Sequence, residues 1–388
     1  MKNFLNPVVC DIKPSGIRRF FDIAAEMEDV ISLGVGEPDF DTPWSIRETA
    51  IYTLEQGKTV YTANAGLKEL RQEISNYSIR KYQLVYDPLR EILVTVGGSE
   101  AIDLCLRAIL CPGDEVLIPE PSYVSYIPCT ILAGGKPVGI PLRGENDFKL
   151  KPEDIEKKIT PKTKAIVFPF PNNPTGSIMT KEDLLPLVDI IIKHDLLVIS
   201  DEIYAELSYS EKPHVSIASF PGMKERTLVI NGFSKAFSMT GWRLGYAMGP
   251  ESLIRQMTKI HQFAIMCAPT TSQYAAVYAL KNCDDKVESM RREYNRRRRY
   301  VLSRIRGMGL DCFEPEGAFY VFPSIRSTGM SSDEFCSSLL YDQKVAVVPG
   351  DAFGEHGEGY VRISYAYSLE ELKTALDRME KFLQGLRS

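Results

Sequence analysis

The sequence predicts an α/β protein with a large domain, built on a mostly parallel seven-stranded sheet flanked by helices, and a smaller α+β domain. From about residue 92, short β-branched runs alternate with amphipathic stretches, as in parallel sheets whose strands are connected by helices. After about residue 250 this alternation stops. A chain of 388 residues also exceeds the size at which a single hydrophobic core usually keeps growing. Two domains are therefore expected.

Seven short segments are predicted as the strands of the main sheet, because each is apolar, rich in β-branched residues and bounded by turn residues. They are EILVTV (91–96), EVLIPE (115–120), KPVGIPL (136–142), AIVFPF (165–170), LLVIS (196–200), RTLVING (226–232) and LGYAMG (244–249). Amphipathic stretches between them are predicted as helices, at 99–110, 122–133 and 180–194. Only the loop at 233–243 separates the last two strands, so an antiparallel pair is expected there.

The predicted boundaries place the large domain at residues 46–280 and the small domain at 1–45 together with 281–388. A helical region extends from about 250 to about 306 and is followed by short strands and a closing helix, at 312–322, 345–350, 360–366 and 368–386. The first 45 residues contain no long periodic segment. We therefore expect them to pack across the domain boundary and not to form a domain of their own.

Composition and charge argue against several classes of protein. The net charge is −5, whereas nucleic-acid-binding domains are usually basic. The segment from Arg291 to Arg306 is locally basic, but its apolar residues recur at helical spacing, which predicts a helix with a solvated basic face. The most apolar region is interrupted by charged residues and a proline, unlike a membrane span. No nucleic-acid or membrane partner is expected.

The eight cysteines and four histidines do not form a ligand pattern. The sequence has no CxxC pair, and its histidines are far apart. Scattered cysteines are typical of reduced cytosolic proteins, and the N-terminal segment has no apolar stretch of signal-peptide length. We expect a cytoplasmic protein without a metal site.

Two of the predicted strands end in turns that suit a ligand, because ligands of open α/β sheets lie beyond the carboxyl ends of the strands. Gly97 and Gly98 precede Ser99, where a helix is predicted to begin; the glycines admit a ligand close to the backbone, and the helix start offers free amides to a phosphate. The alternative is a tight turn with Ser99 as the N-cap. The second turn, PNNPTG (171–176), contains Asn173 and is equally typical of an ordinary loop.

Two charged residues lie at the ends of other apolar strands. Asp201 is costly to bury unless it has a cationic partner. Tyr204 follows three residues later. The alternative is that Asp201 or Glu202 caps a helix. Lys235 either extends its ammonium group into solvent or lies buried near Arg243 as a neutral amine that can bind an aldehyde.

Together these groups match the needs of pyridoxal phosphate. Its aldehyde needs an amine and its ring nitrogen an anion, which Lys235 and Asp201 supply. Its phenolic oxygen and its phosphate need hydrogen-bond donors, which are present as Asn173, Tyr204, Ser99, Ser234 and Arg243.

Ten stretches along nearly the whole chain carry a resemblance to a known family. They are LGVGEPDFDTP (33–43), YTANAGLKELR (61–71), GGSEA (97–101), PSYVSY (121–126), PNNPTG (171–176), SDEIYAE (200–206), SKAFSMTGWRLGY (234–246), GAFYVFP (317–323), VAVVPGDAFG (345–354) and VRISYA (361–366). The chain resembles the class I/II aminotransferases of the fold-type I pyridoxal-phosphate superfamily, nearest the aspartate and aromatic aminotransferases. The resemblance implies a ping-pong exchange of an amino group between an L-amino acid and a 2-oxo acid.

The resemblance also implies a role for individual residues. Three are implied to be catalytic: Lys235 attaches the cofactor covalently and moves the substrate proton, Asp201 keeps the ring nitrogen protonated, and Tyr204 binds the phenolic oxygen. The further residues implied to bind the cofactor are Tyr123 against the ring, Asn173 at the phenolic oxygen, and Gly98, Ser99, Glu100 (through its backbone), Ser234 and Arg243 at the phosphate.

Four further implications concern the substrate and the neighbouring subunit. Arg362 is similar to the family's bidentate partner of the substrate carboxylate, and Gly36 and Asn173 are implied to contact the substrate. Arg362 could also be an ordinary surface arginine. Tyr61 is similar to the tyrosine that reaches the phosphate from the neighbouring subunit, which implies a homodimer with shared active sites.

Two other functions remain open at this point, together with the choice of substrate. A pyridoxal-phosphate β-lyase acting on carbon–sulfur bonds would use the same anchoring groups, and a non-catalytic ligand-sensing module is the alternative from another class. Arg18 or Arg19 could meet an acidic substrate, whereas Phe20, Phe21 and Phe263 suit an aromatic one. The sequence does not decide between them.

Overall fold

A seven-stranded sheet forms the centre of the structure, a computed structural model that describes residues 4–14, 16 and 27–387. The strands of the described chain are β1 (Ile31–Ser32), β2 (Ile92–Thr95), β3 (Glu115–Glu120), β4 (Lys136–Pro141), β5 (Thr163–Phe168), β6 (Leu197–Asp201), β7 (Thr227–Gly232), β8 (Gly245–Met248), β9 (Tyr320–Val321), β10 (Val345–Ala346), β11 (Val348–Pro349) and β12 (Val361–Ser364). The seven strands predicted for the main sheet are β2 to β8, and all are confirmed with ends displaced by no more than a few residues.

The order of the strands in the main sheet is β2-β8-β7-β6-β5-β3-β4. The pairs from β7 to β4 are parallel, and β8 runs antiparallel to both of its neighbours. The antiparallel pairing of β7 with β8 is as expected from their short connection. All residues of β2, β7 and β8 are buried, as in a sheet covered on both faces.

Helices cover the main sheet and form most of the remaining structure. Their bounds are α1 (Pro7–Asp11), α2 (Trp44–Glu55), α3 (Lys68–Tyr82), α4 (Gly97–Ile109), α5 (Tyr126–Leu132), α6 (Pro152–Glu156), α7 (Lys181–Lys193), α8 (Glu251–Ala264), α9 (Thr270–Asn282), α10 (Asp284–Gly307), α11 (Ser332–Gln343) and α12 (Leu369–Arg387). The predicted helices at 99–110, 122–133 and 180–194 correspond to α4, α5 and α7. A capping box of Thr180 and Asp183 explains the sharp start of α7.

Two small sheets lie in the C-terminal part of the chain. Strands β11, β12 and β9 form an antiparallel sheet, and β1 pairs in parallel with β10. The pairing of β1 joins the N-terminal segment to residues near 345. The predicted small domain likewise groups residues 1–45 with residues 281–388. The domain boundaries themselves stay a prediction.

The basic segment forms part of α10, as predicted, but the expectation of a solvated basic face is wrong in part. Arg297 and Arg298 are buried. Arg297 forms ion pairs with Asp39 and Glu293, and Arg298 pairs with Glu314. These arginines are buried because carboxylates on neighbouring segments compensate their charge.

Two further observations concern the cysteines and the length of the apolar helices. All eight cysteines are free thiols. In the ranges that the structure describes, no helix combines the length and the apolar character needed to cross a membrane.

Candidate active site

A cavity of about 630 Å³ opens where strands of the main sheet end, between the sheet and the C-terminal part of the chain. Eleven of the predicted site residues line it: Gly36, Gly98, Ser99, Tyr123, Asn173, Asp201, Tyr204, Ser234, Lys235, Arg243 and Arg362. They come from segments separated by up to about 330 residues, and the fold brings them together as the strand-end rule predicts.

Lys235 lies in the loop after β7 with its amine directed into the cavity. Its Nζ donates a hydrogen bond to the carbonyl of Gly36. Burial lowers the pKa of this amine to about 8, the nearby guanidinium groups of Arg362 and Arg243 act in the same direction, and Glu37 opposes the shift. The amine is thus neutral far more often than a surface lysine, which is the state needed of a nucleophile or a base.

Asp201 is the last residue of β6 and is buried. Its carboxylate accepts hydrogen bonds from the hydroxyl of Tyr126, at 2.7 Å, and from the amide of Ile203, at 3.3 Å. Burial raises the pKa of Asp201, and the bond from Tyr126 opposes this shift. A cationic N–H donor in the cavity would favour the ionised carboxylate. The segment after Asp201 is a turn and not a helix, so the alternative of a helix-capping acid is wrong.

Tyr204 faces the same cavity beneath a cluster of aromatic rings. Its hydroxyl lies 2.8 Å from the hydroxyl of Tyr320, and both side chains are buried. Burial raises the pKa of the Tyr204 hydroxyl well above its ordinary value, so it stays protonated at neutral pH. Tyr204 can therefore serve as a hydrogen-bond donor in the cavity.

Arg362 is buried on β12 and is not the surface arginine of the alternative interpretation; its exposed fraction is 3%. Its guanidinium donates to the carbonyl of Gly34 and, at 2.8 Å, to Oδ1 of Asn173. The ring of Tyr320 lies under it at 4.5 Å and that of Phe353 at 4.8 Å. A guanidinium held in this way is suited to bidentate recognition of a carboxylate.

The turn after β2 forms a corner of the cavity that suits an anion. Gly97 has a φ of +79°, a conformation that favours glycine, and α4 begins at this residue. The Arg243 side chain lies against Gly97, and the hydroxyls of Ser99 and Tyr123 are 3.3 Å apart. The helix starts two residues before Ser99, so the N-cap alternative for Ser99 is wrong. Amides at a helix start and a guanidinium together suit a phosphate.

Two predicted cofactor residues do not line the cavity. Tyr61 is 79% exposed on the surface, the position required of a residue that serves another subunit. The side chain of Glu100 accepts from the amide of Val96 and faces His261. The sequence implies a role for the backbone of Glu100 only, and the contacts of its carboxylate are an addition from the structure.

Sequence reasoning missed Tyr126, Tyr320 and Glu37, all of which line the cavity. The first two fall in PSYVSY and GAFYVFP, motifs in which these tyrosines have no role assigned from the sequence. Periodicity alone does not distinguish a tyrosine that lines a site from a tyrosine that belongs to the hydrophobic core.

Of the residues proposed to select the substrate side chain, the structure describes one. Phe263 is 86% exposed and does not line the cavity. Arg18, Arg19, Phe20 and Phe21 lie outside the described residues.

Comparisons with known proteins agree with this geometry. The family description Aminotransferase class I and II matches residues 28–379. The aspartate aminotransferase of Pyrococcus abyssi (strain GE5 / Orsay) is 51% identical over 377 residues, which cover 96% of each chain. The aromatic-amino-acid aminotransferase 2 of Thermococcus litoralis is 48% identical over 377 residues, again covering 96% of each.

The same agreement is found among solved structures. The aromatic aminotransferase from Pyrococcus horikoshii OT3 superposes with a TM-score of 0.91 at 47% identity, covering 96% of this chain and 99% of that one. Fold, cavity and sequence similarity along nearly the full length thus lead to one assignment. The chain belongs to the class I and II aminotransferases, with their fold-type I architecture, and it is an enzyme that transfers amino groups.

Proposed function

We propose that the cavity binds pyridoxal phosphate through a covalent bond to Lys235 and that the enzyme transfers amino groups with this cofactor. The observation that carries the proposal is the position of the Lys235 amine, whose pKa is lowered to about 8, in one cavity with Asp201, Arg243 and Arg362. An amine for the aldehyde, an acid for the ring nitrogen and a cation for the phosphate are the groups that such a cofactor needs.

The donor set fits the cofactor at each of its polar groups. The phosphate would lie at the turn of Gly98 and Ser99, where Ser234 and Arg243 supply further donors. Asp201, whose pKa is raised by burial, would gain a partner for its charge from a protonated ring nitrogen. Tyr123 would lie against the ring, and Tyr204 and Asn173 would reach the phenolic oxygen.

When bound, the cofactor withdraws electrons from the substrate Cα and so makes its proton acidic. The chain's own task is to hold and move that proton. As a free amine, Lys235 would accept the proton of the substrate Cα at Nζ and would then deliver a proton to the carbon on the other side of the transferred nitrogen. A pKa near 8 suits this double role, because the amine can both take up and release a proton near neutral pH.

Other residues that line the cavity would orient the substrate. Arg362 would bind the α-carboxylate with two parallel hydrogen bonds, since its guanidinium is already held by Gly34 and Asn173. Gly36 allows close approach of the substrate, and its carbonyl holds the Lys235 amine in the absence of a covalent bond.

We further propose a homodimer in which each cavity receives Tyr61 from the neighbouring subunit. Tyr61 is accompanied by exposed apolar side chains on and after α2: Trp44, Ile51, Tyr52, Leu54 and Val60. Several large apolar side chains exposed along one segment are typical of an interface.

Mixed dimers test the shared site. A mixture of Lys235→Ala and Tyr61→Ala subunits, refolded together, should regain about a quarter of the wild-type activity, because half of the dimers are hybrids with one intact site. Activity no higher than the mean of the two variants would contradict the shared site.

The relatives' names guide the proposed substrates. Proteins similar to this chain are named as aspartate and as aromatic-amino-acid aminotransferases. We propose L-amino acids of these two classes as donors and 2-oxo acids as acceptors.

The eight free cysteines support a cytoplasmic location.

The central test is reduction of the pyridoxal-phosphate-loaded protein with borohydride, followed by mass analysis of its peptides. We expect the reduced cofactor on Lys235 and none in Lys235→Ala, with Lys259→Ala as the control, since Lys259 is exposed and donates a hydrogen bond to Gln256 on the same helix. Label at another lysine would overturn the assignment.

A second assay separates transfer from β-elimination. Formation of the 2-oxo product should depend on an added acceptor such as 2-oxoglutarate. Release of ammonia and pyruvate without acceptor would instead indicate a lyase.

A further inference from the structure

A carboxylate–imidazole pair, formed by a part-buried glutamate and a buried histidine, lies behind residues 96–99, the proposed anion-binding turn. Glu100 on α4 places Oε1 at 2.7 Å from Nδ1 of His261, which is in the last turn of α8. The other oxygen of Glu100 accepts the amide hydrogen of Val96, the residue immediately before the turn. His261 is thereby connected to the backbone of the turn through one carboxylate.

His261 is fully buried, with an exposed fraction of 0%. Its other ring nitrogen, Nε2, has no hydrogen-bond partner among the residues that the structure describes. Among the described residues, the bond with Glu100 is thus the one hydrogen bond of the imidazole ring. Burying a ring nitrogen without a partner costs free energy, which an apolar side chain would avoid. Stability alone therefore does not explain a histidine at this position.

Val96 matters because it leads directly into the anion-binding turn. Gly97 takes the left-handed conformation and α4 begins there, so the first amides of the helix have no acceptor within it. The direction of these amides depends on how the strand enters the turn. A carboxylate fixed on one side by His261 and bonded to Val96 on the other restricts that entry.

We propose that Glu100 and His261 form a positioning pair that holds the turn at 96–99 in the geometry that binds a phosphate. This inference rests on the proposed function, because it requires a phosphorylated cofactor. It assigns Glu100 a side-chain role in addition to the backbone role expected from the sequence. Neither residue touches the cofactor through its side chain, so the effect of the pair is exerted through the backbone amides of the turn.

A comparison of two ligands isolates this effect. Affinity for pyridoxal phosphate and for pyridoxal, which lacks the phosphate, can be measured by tryptophan fluorescence, because Trp242 directly precedes Arg243, which lines the cavity. We expect His261→Leu to weaken the binding of pyridoxal phosphate by about tenfold, because one charge-assisted hydrogen bond that positions the turn is lost. The binding of pyridoxal should weaken by less than about twofold. His261→Asn, whose amide nitrogen can occupy the place of Nδ1, should restore most of the affinity.

A matched control is available in the same chain. His214 forms a similar pair, at 2.8 Å, with the buried Glu202, which follows Asp201 in the chain and bonds Ser200 and Ser216 and not the turn at 96–99. His214→Leu should leave the ratio of the two affinities unchanged. If His261→Leu does not fold, Glu100→Ala replaces it with the same expected ratio, since alanine is well tolerated in a helix.

The outcomes separate the two proposals. Equal losses for both ligands, or no loss, would overturn the positioning role while leaving the proposed function intact. If the wild-type protein attaches neither ligand to Lys235, the proposed function fails, and the positioning role falls with it.

Discussion

The hydroxyl groups of Tyr204 and Tyr320 lie 2.8 Å apart, one on the turn after β6 and the other on β9. Each phenol has a single proton to donate. If Tyr204 donates into the cavity, Tyr320 must donate to Tyr204, and the two bonds strengthen each other. The ring of Tyr320 also lies under the guanidinium of Arg362. This tyrosine thus connects the groups proposed to bind the cofactor and the substrate.

Tyr320→Phe removes this donor and keeps the ring beneath Arg362. We expect kcat/KM to fall about fivefold, the contribution of one buried hydrogen bond. Steady-state kinetics check the value. Tyr365→Phe is the control, because its hydroxyl bonds the carbonyl of Ala318 away from the cavity. An equal loss in both variants would show that the effect is only structural.

Gly36→Ala should damage the site through Tyr320. A Cβ at position 36 would meet the Tyr320 hydroxyl at a distance that real Cβ atoms do not show, whereas the ring carbon behind it is at 3.5 Å. We expect Gly36→Ala to lower kcat/KM about tenfold or more and the double variant with Tyr320→Phe to recover part of it, a coupling typical of residues in contact. Purely additive losses would contradict this contact.

Arg362→Lys keeps the charge but loses the planar fork. We expect KM for the amino acid to rise about 30-fold, because the ammonium group of lysine cannot form the two parallel hydrogen bonds of a guanidinium with a carboxylate. Covalent attachment of the cofactor should persist, since Lys235 and the anion-binding turn are unchanged. Substrate saturation curves and borohydride labelling check the two parts. An unaltered KM would exclude Arg362 as the carboxylate partner.

The reactivity of Lys235 should depend on pH through its lowered pKa. The neutral amine reacts, so the rate of covalent attachment of pyridoxal phosphate to the cofactor-free protein should rise with pH through a midpoint near 8 and level off above it. Glu37 favours the charged amine, so Glu37→Gln should move the midpoint to lower pH. Stopped-flow rates measured across this range provide the check. A midpoint near that of an ordinary lysine would refute the burial effect.

Much of the fold follows from local pattern. The seven strands, the helices between them and the position of Asp201 at a strand end are predictable because hydrophobic periodicity reports which face of each segment is buried. Lys235 and Arg243 are identifiable because their residue types and strand-end positions suit the chemistry, whereas Arg362 lies within β12 and is identified only through the resemblance of VRISYA to a family motif. The expected basic face of α10 is wrong in part, since the carboxylates that bury Arg297 and Arg298 lie partly on other segments.

The sequence by itself determined the set of elements and the chemical groups at their ends, because both depend on neighbours within a few positions. Only the tertiary structure decided which distant groups meet: Tyr204 with Tyr320, Arg362 with Asn173, and Glu100 with His261. Hydrophobic burial is non-directional and tolerates many arrangements, whereas a hydrogen bond requires two atoms within about 3 Å at a suitable angle. Such pairs are therefore settled by how the packed elements are placed, and no local pattern reports that placement.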